Sequence, residues 1–204
     1  MKAGELNRIA GSFASLLPMP WTRIGREFFR REGSWVQIIG FNSSRFAETY
    51  VPRSSCEFLK MPGEPTGGFL GQELRHPNNT QRWVGLKEST SEVFEEMIKQ
   101  FSPSLVRPLR LETIKHLLNG SLSYWPHAYA LCIMCLEDGD KENAQRYFDE
   151  FLSLTADKPY SWVKLRRNEL AESLKLLHHP LELKNRLAAV EAEKLRALKC
   201  AGKL

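Results

Sequence analysis

Apolar residues near the start of the chain, Leu6, Ile9, Ala10, Phe13, Leu16 and Leu17, recur every three or four positions. That spacing predicts an amphipathic helix over 3–17, closed by Pro18 and Pro20. The helix needs an apolar surface to cover, and the pattern that follows supplies one. Segments 23–32, 35–44 and 54–61 are rich in aromatic and β-branched residues and are bounded by Gly, Pro or Ser, which predicts three strands. Gly33-Ser34 is short enough to join the first two as a hairpin. In the second segment Trp35, Ile39 and Phe41 share one face and Val36 and Ile38 the other, as in a central strand covered on both sides.

Glycine and proline dominate 62–71, a loop expected to return to the sheet near 69–74. His76-Pro77-Asn78-Asn79 reads as a turn and 82–86 as a further strand. A helix then begins near Ser89 to Ser91, with Val93, Phe94, Met97, Ile98, Phe101 and Leu105 as its stripe. Beyond Pro108 only helical patterns remain: 112–119, 126–137, 141–154 and 161–177. The second and third form a hairpin through Asp138-Gly139-Asp140 and resemble one tetratricopeptide unit, but no second copy follows at a period of about 34 residues. His178-His179-Pro180 stops the fourth. The stripe of 181–200 is blurred, which predicts a helix partly detached from the rest. The expected fold class is therefore α+β. Residues 1–108 form a helix packed on a mostly antiparallel sheet, and 109–204 a helical extension packing on it.

Composition supports a folded chain: 42% of the 204 residues are hydrophobic. No apolar run approaches the roughly 20 residues that span a bilayer, so no membrane association is expected. Glu5, Asn7 and Arg8 interrupt what would be the apolar part of an export signal, which predicts a cytoplasmic protein. Cys132 and Cys135 have C-x-x-C spacing but lie in an apolar helical run without further ligands, so they read as buried small hydrophobes. Charge is uneven. Residues 1–62 carry 9 basic and 5 acidic side chains, 63–157 carry 9 and 14, and 158–204 carry 11 and 5. Such a distribution favours intramolecular docking or an acidic partner.

Three short patterns carry a resemblance. Arg26-Glu27-Phe28-Phe29-Arg30 is a basic F-[FY]-R segment, Trp35 to Asn42-Ser43-Ser44 is an apolar strand with a polar tail, and Cys56 to Met61 is a third strand before a helix that ends near Pro108. Over roughly residues 3–110 the chain resembles the bacterial domain of unknown function 4304 family, with Pro20-Trp21 where that family has Gly-Phe. The resemblance implies the α+β build and a bacterial, cytoplasmic setting, and supplies no reaction.

The polar positions at the strand ends, Arg26, Arg30, Asn42, Ser44, Arg45 and Lys60, are candidates for holding an anionic ligand or a partner's carboxylates. The competing reading is that they satisfy loop backbone and solvate the sheet edge. His76, His116, His127, His178 and His179 fall in no catalytic spacing, and Asp138-Gly139-Asp140 lacks the remaining ligands of a calcium loop. No catalytic, cofactor or metal residue is expected. The sequence thus favours a non-enzymatic protein-interaction module, and analogy with small bacterial α+β proteins adds an immunity-type role. One alternative is a small-ligand-binding protein or enzyme using the strand ends. A disfavoured one is a nucleic-acid binder using Lys164, Arg166, Arg167 and Lys175 beside Trp162.

Overall fold

The computed structural model describes residues 3–18, 20–44, 48–63, 69–101, 111–120, 122–199 and 204. They fall into two compact units, one built from 3–57 and 69–101 and the other from 58–63 and 111–199.

In the first unit helix α1 (Ala3–Ala14) buries Leu6, Ile9, Ala10 and Phe13, the face that its three-and-four spacing defines. Strands β1 (Thr22–Ile24), β2 (Glu27–Glu32), β3 (Trp35–Ser43), β4 (Thr49–Phe58) and β5 (Phe69–Glu73) follow one another across the sheet, and β6 (Val84–Gly85) also pairs with β4. Helix α2 (Thr90–Phe101) completes the unit and buries Val93, Phe94, Met97 and Phe101. Together α1 and α2 cover one sheet face through Phe28, Ile39, Phe41, Tyr50, Leu74 and Val84. Phe41 is the hub, with Phe13 at 4.9 Å, Tyr50 at 5.8 Å and Phe28 at 6.5 Å between ring centroids. The fold is α+β, as expected. Both faces of β3 are buried from Trp35 to Phe41.

Three expected strands have other limits, and the one at 82–86 shrinks to Val84–Gly85. The expected strand 23–32 is a hairpin, because Gly25 adopts φ +64° and turns the chain so that Ile24 faces Glu27. The expected strand 54–61 begins at Thr49 and ends at Phe58. Pro52 hides its first half from a propensity reading. It lies between the stretch of β4 paired with β6 (Thr49, Tyr50) and the stretch paired with β5 (Arg53 to Cys56), so its missing N–H interrupts neither of those ladders. Gly40 has a different task. Glu27 and Arg53, on the strands either side of β3, form a 2.9 Å ion pair over it, and a Cβ at Gly40 would come within 3.1 Å of Arg53 Nε.

The second unit is helical: α3 (Leu111–Asn119), α4 (Trp125–Glu137), α5 (Lys141–Thr155), α6 (Ser161–Lys175), a 3-10 turn over Leu176–His178, and α7 (Pro180–Ala197). Every residue of α4 from Pro126 to Leu136 is buried, as befits an apolar helix with neighbours α3, α5 and α6. Cys132 and Cys135 are both buried there, and Cys132 Sγ donates to the Ala144 carbonyl of α5 at 3.2 Å. Asp138-Gly139-Asp140 is the turn of the α4–α5 hairpin, with Gly139 at φ +74° and Asp140 accepting from Asn143 N at 3.1 Å as the α5 N-cap. Helix α7 is not detached: Leu183, Leu187 and Lys194 are buried, and Arg186 pairs with Glu169 of α6 at 2.7 Å. No helix among the described residues is long and apolar enough to cross a membrane.

Candidate functional site

The strand-end candidates lie in separate environments. Arg26 is exposed in the β1–β2 turn and Ser44 is partly buried at the end of β3. Asn42 faces the Glu73 carboxylate of β5 at 3.4 Å. Arg30 is in the sheet interior, 1% exposed, where its Nε and Nη2 donate to Gln37 Oε1 across the β2–β3 pair and its guanidinium lies 4.5 Å from the Trp21 ring. Burial lowers its pKa. The same burial raises the nearby Cys56 thiol to about 12, well outside the range of a reactive thiolate. Lys60 belongs to the second unit and is paired there with Glu137 of α4. Arg45 lies outside the described residues. A cleft of about 750 Å³ does open in the first unit between Glu73, Arg75, His76, Asn79 and Gln100, but Asn42 reaches only its wall, through Glu73.

The C-terminal basic cluster is likewise engaged in structure. Arg166 is buried, with its guanidinium 5.2 Å from the Trp125 ring and 5.1 Å from the Trp162 ring. Arg167 donates to the Thr155 carbonyl and, at 3.2 Å, to Thr155 Oγ1, which caps the end of α5. Of the three cations close to Trp162, only Lys164 stands exposed.

What the sequence reading missed is the aromatic group around Trp162. Tyr160 and Trp162 stack with planes 6° apart and centroids 5.4 Å apart, Trp162 meets Trp125 at 5.3 Å, and Trp125 meets Tyr124 at 6.3 Å. Tyr160 is 56% exposed, Tyr124 40% and Trp162 39%, a concentration of aromatic surface that folding alone does not require. The signal was an aromatic pair at each of two helix starts, Tyr124-Trp125 before α4 and Tyr160-Ser161-Trp162 at α6. Helices α4, α5 and α6 are successive and packed on one another, so α4 and α6 start at the same end of the layer.

The backbone at that end reinforces the side chains. Tyr124 and Tyr160 are the N-cap residues of α4 and α6, and neither supplies a side-chain cap hydrogen bond. Two helix N-termini, each with its partial positive charge, therefore meet beside these rings and the Arg166 guanidinium. Chemically the arrangement offers flat apolar contact beside the positive ends of two helices, held in place by the buried Arg166, which suits carboxylates carried on an apolar or aromatic segment. Among the described residues no group of three or more His, Cys, Asp or Glu side chains is arranged to hold a metal ion. Compared with protein-family models, with curated proteins and with solved structures, the chain matches none.

Proposed function

We propose that the protein is a non-enzymatic interaction module that binds an acidic segment of a partner protein through the aromatic end of its helical unit. The observation that supports this most directly is the contiguous ring run Tyr124–Trp125–Trp162–Tyr160, exposed at Tyr124, Trp162 and Tyr160 and closed over Arg166 at the starts of two helices. Tyr, Trp and Arg are the residues that carry most binding energy at protein interfaces, and they do so where water is excluded around them. The excess of cations over residues 158–204, 11 basic against 5 acidic, adds long-range attraction for an acidic partner. Membership of the domain of unknown function 4304 family, a bacterial cytoplasmic setting and an immunity-type role belong to the same proposal. The family and its setting rest on the resemblance of the helix, basic strand, apolar strand and polar tail of the first unit, and the immunity-type role on analogy with small bacterial α+β proteins.

The nucleic-acid reading loses ground because Arg166 and Arg167 are committed to ring and backbone contacts. The test compares the wild-type protein with Tyr160→Glu in affinity capture from the native cytosol at physiological salt. Glutamate at a helix start is compatible with the fold but repels an acidic partner. The expected result is a discrete protein held by the wild type and weakened at least tenfold by the substitution, with unchanged circular dichroism. Capture of the same proteins by both forms would defeat the proposal. Recovery of nuclease-sensitive material that is released steeply by salt would replace it with the nucleic-acid reading.

A further inference from the structure

Strand β5 ends the run from β1 to β5, and among the described residues no strand pairs with its outer edge. The hydrogen bonds fix which backbone groups face that edge. Leu74 N donates to the Pro52 carbonyl at 3.0 Å and the Leu74 carbonyl accepts from Arg82 N at 2.9 Å, so both groups of Leu74 point inward. Along a strand these directions alternate, which turns the N–H and C=O of Glu73 and Arg75 outward. Arg75 bears this out: its N donates to Gln100 Oε1 at 2.8 Å and its carbonyl accepts from Gln100 Nε2 at 2.7 Å.

The Gln100 side chain thus takes the place of a neighbouring strand for one rung. A primary amide is the chemical equivalent of a peptide group, and this edge holds it through one donor and one acceptor. One rung earlier, at Glu73, the outward N–H and C=O open on the cleft of about 750 Å³ that β5, the 76–79 turn and the end of α2 enclose. The Glu73 carboxylate is already engaged, by Asn42 at 3.4 Å and Gln81 at 2.7 Å, so its main chain is what it has left to offer. Gly71 lines the same cleft and has no side chain to keep another backbone at a distance. The facing turn is braced, since Arg75 Nη1 donates to the Asn79 carbonyl at 2.8 Å.

Outward rungs recur at every second residue, about 6.8 Å apart, which is the repeat of an extended chain. A helix pairs its own backbone groups internally and has none to supply. We infer that this cleft binds an extended peptide segment of a partner protein, added to β5 as a further strand and recognised through its main chain. The inference does not rest on the aromatic end of the helical unit.

Titration of the full chain, followed by NMR of its backbone amides, tests it with the peptide acetyl-Ser-Val-Thr-Val-Thr-Lys-amide and with the same peptide N-methylated at every residue. The first should bind with a dissociation constant below about 1 mM and shift the Glu73 and Gly71 amides most, and the second, which has no N–H to donate, should not bind. Gln100→Ala frees the Arg75 rung and should tighten binding about fivefold, the opposite of what losing a contact in the cleft would do. Glu73→Pro removes the outward N–H without touching a bond to β4 and should abolish binding, whereas Glu73→Ala, which loses the same carboxylate and keeps the N–H, should bind as the wild type does. The assignment fails if the peptide does not bind, if its N-methylated form binds as well, if Gln100→Ala leaves the affinity unaltered, or if Glu73→Pro and Glu73→Ala behave alike. Dimerisation of the protein that Glu73→Pro removes would give the edge to a second copy of the chain instead.

Discussion

A guanidinium inside a sheet needs a fixed acceptor, and for Arg30 on β2 that acceptor is the Gln37 side-chain oxygen opposite it on β3. Charged hydrogen bonds of this kind are worth about 1.5–3 kcal/mol each time a partner is removed. Gln37→Leu should therefore lower the unfolding free energy by about 2–3 kcal/mol in urea titration, because a buried cation loses two contacts. The Arg30→Met/Gln37→Leu double variant should recover part of that loss, since it removes the charge with its acceptor. A double variant as unstable as the sum of the single ones would show that the two residues do not act as a pair. This interior role was legible in the sequence. A two-residue loop at Gly33-Ser34 sets Glu32 opposite Trp35, which sets Arg30 opposite Gln37, and alternation puts both on the face of Phe28 and Ile39. Grouping Arg30 by charge with Arg26, Asn42, Ser44, Arg45 and Lys60 ignored that register. The aromatic run stayed hidden for another reason: Tyr124 and Tyr160 are far apart in sequence, and only the packing of α4, α5 and α6 brings their neighbours into ring contact.

Helices were read closely because a period of 3.6 survives local noise, as in α1, α2 and α5, whereas strand limits depend on pairing partners that a single segment does not contain. Thus a pattern of β-formers runs unbroken from β1 into β2 across Gly25, and Pro52 in β4 resembles a breaker several residues after the strand has begun. Helix α7 shows the reverse error. Its stripe is blurred because buried Lys194 extends the line of Leu183 and Leu187, and a lysine does not register as an inward position. At the element scale the α4–α5 turn offers the clearest measurement. Asp140 accepts from the Asn143 backbone at 3.1 Å and from its side chain at 2.7 Å, and these bonds hold its carboxyl below the ordinary carboxylate range. Asp140→Ala should lower the midpoint of thermal or denaturant unfolding and Asp140→Asn by only a small part of that, because asparagine caps nearly as well. Equal losses for the two would mean that the charge, rather than the cap, is what stabilises α5.

At the scale of the whole molecule, the change from mixed to purely helical patterns beyond Pro108 suggests one cut, but the two units are not two contiguous stretches. Residues 58–63 belong with the helices, so the chain leaves the sheet unit after Glu57 and returns to it before Phe69. The detour is anchored. Lys60 pairs with Glu137, and Gly63, at φ +91°, passes close enough to Arg166 that a Cβ there would lie 3.4 Å from the guanidinium. Periodicity does not reveal this, because residues 58–63 are too few to carry a pattern of their own. The consequence is measurable. A fragment of residues 110–204 retains every helix of the second unit but lacks the Lys60 and Gly63 contacts, so it should melt at lower temperature and less cooperatively than the same helices in the intact chain. If that fragment kept the helical signal and melting temperature of the full protein, the 58–63 segment would be a passenger rather than a part of the helical unit.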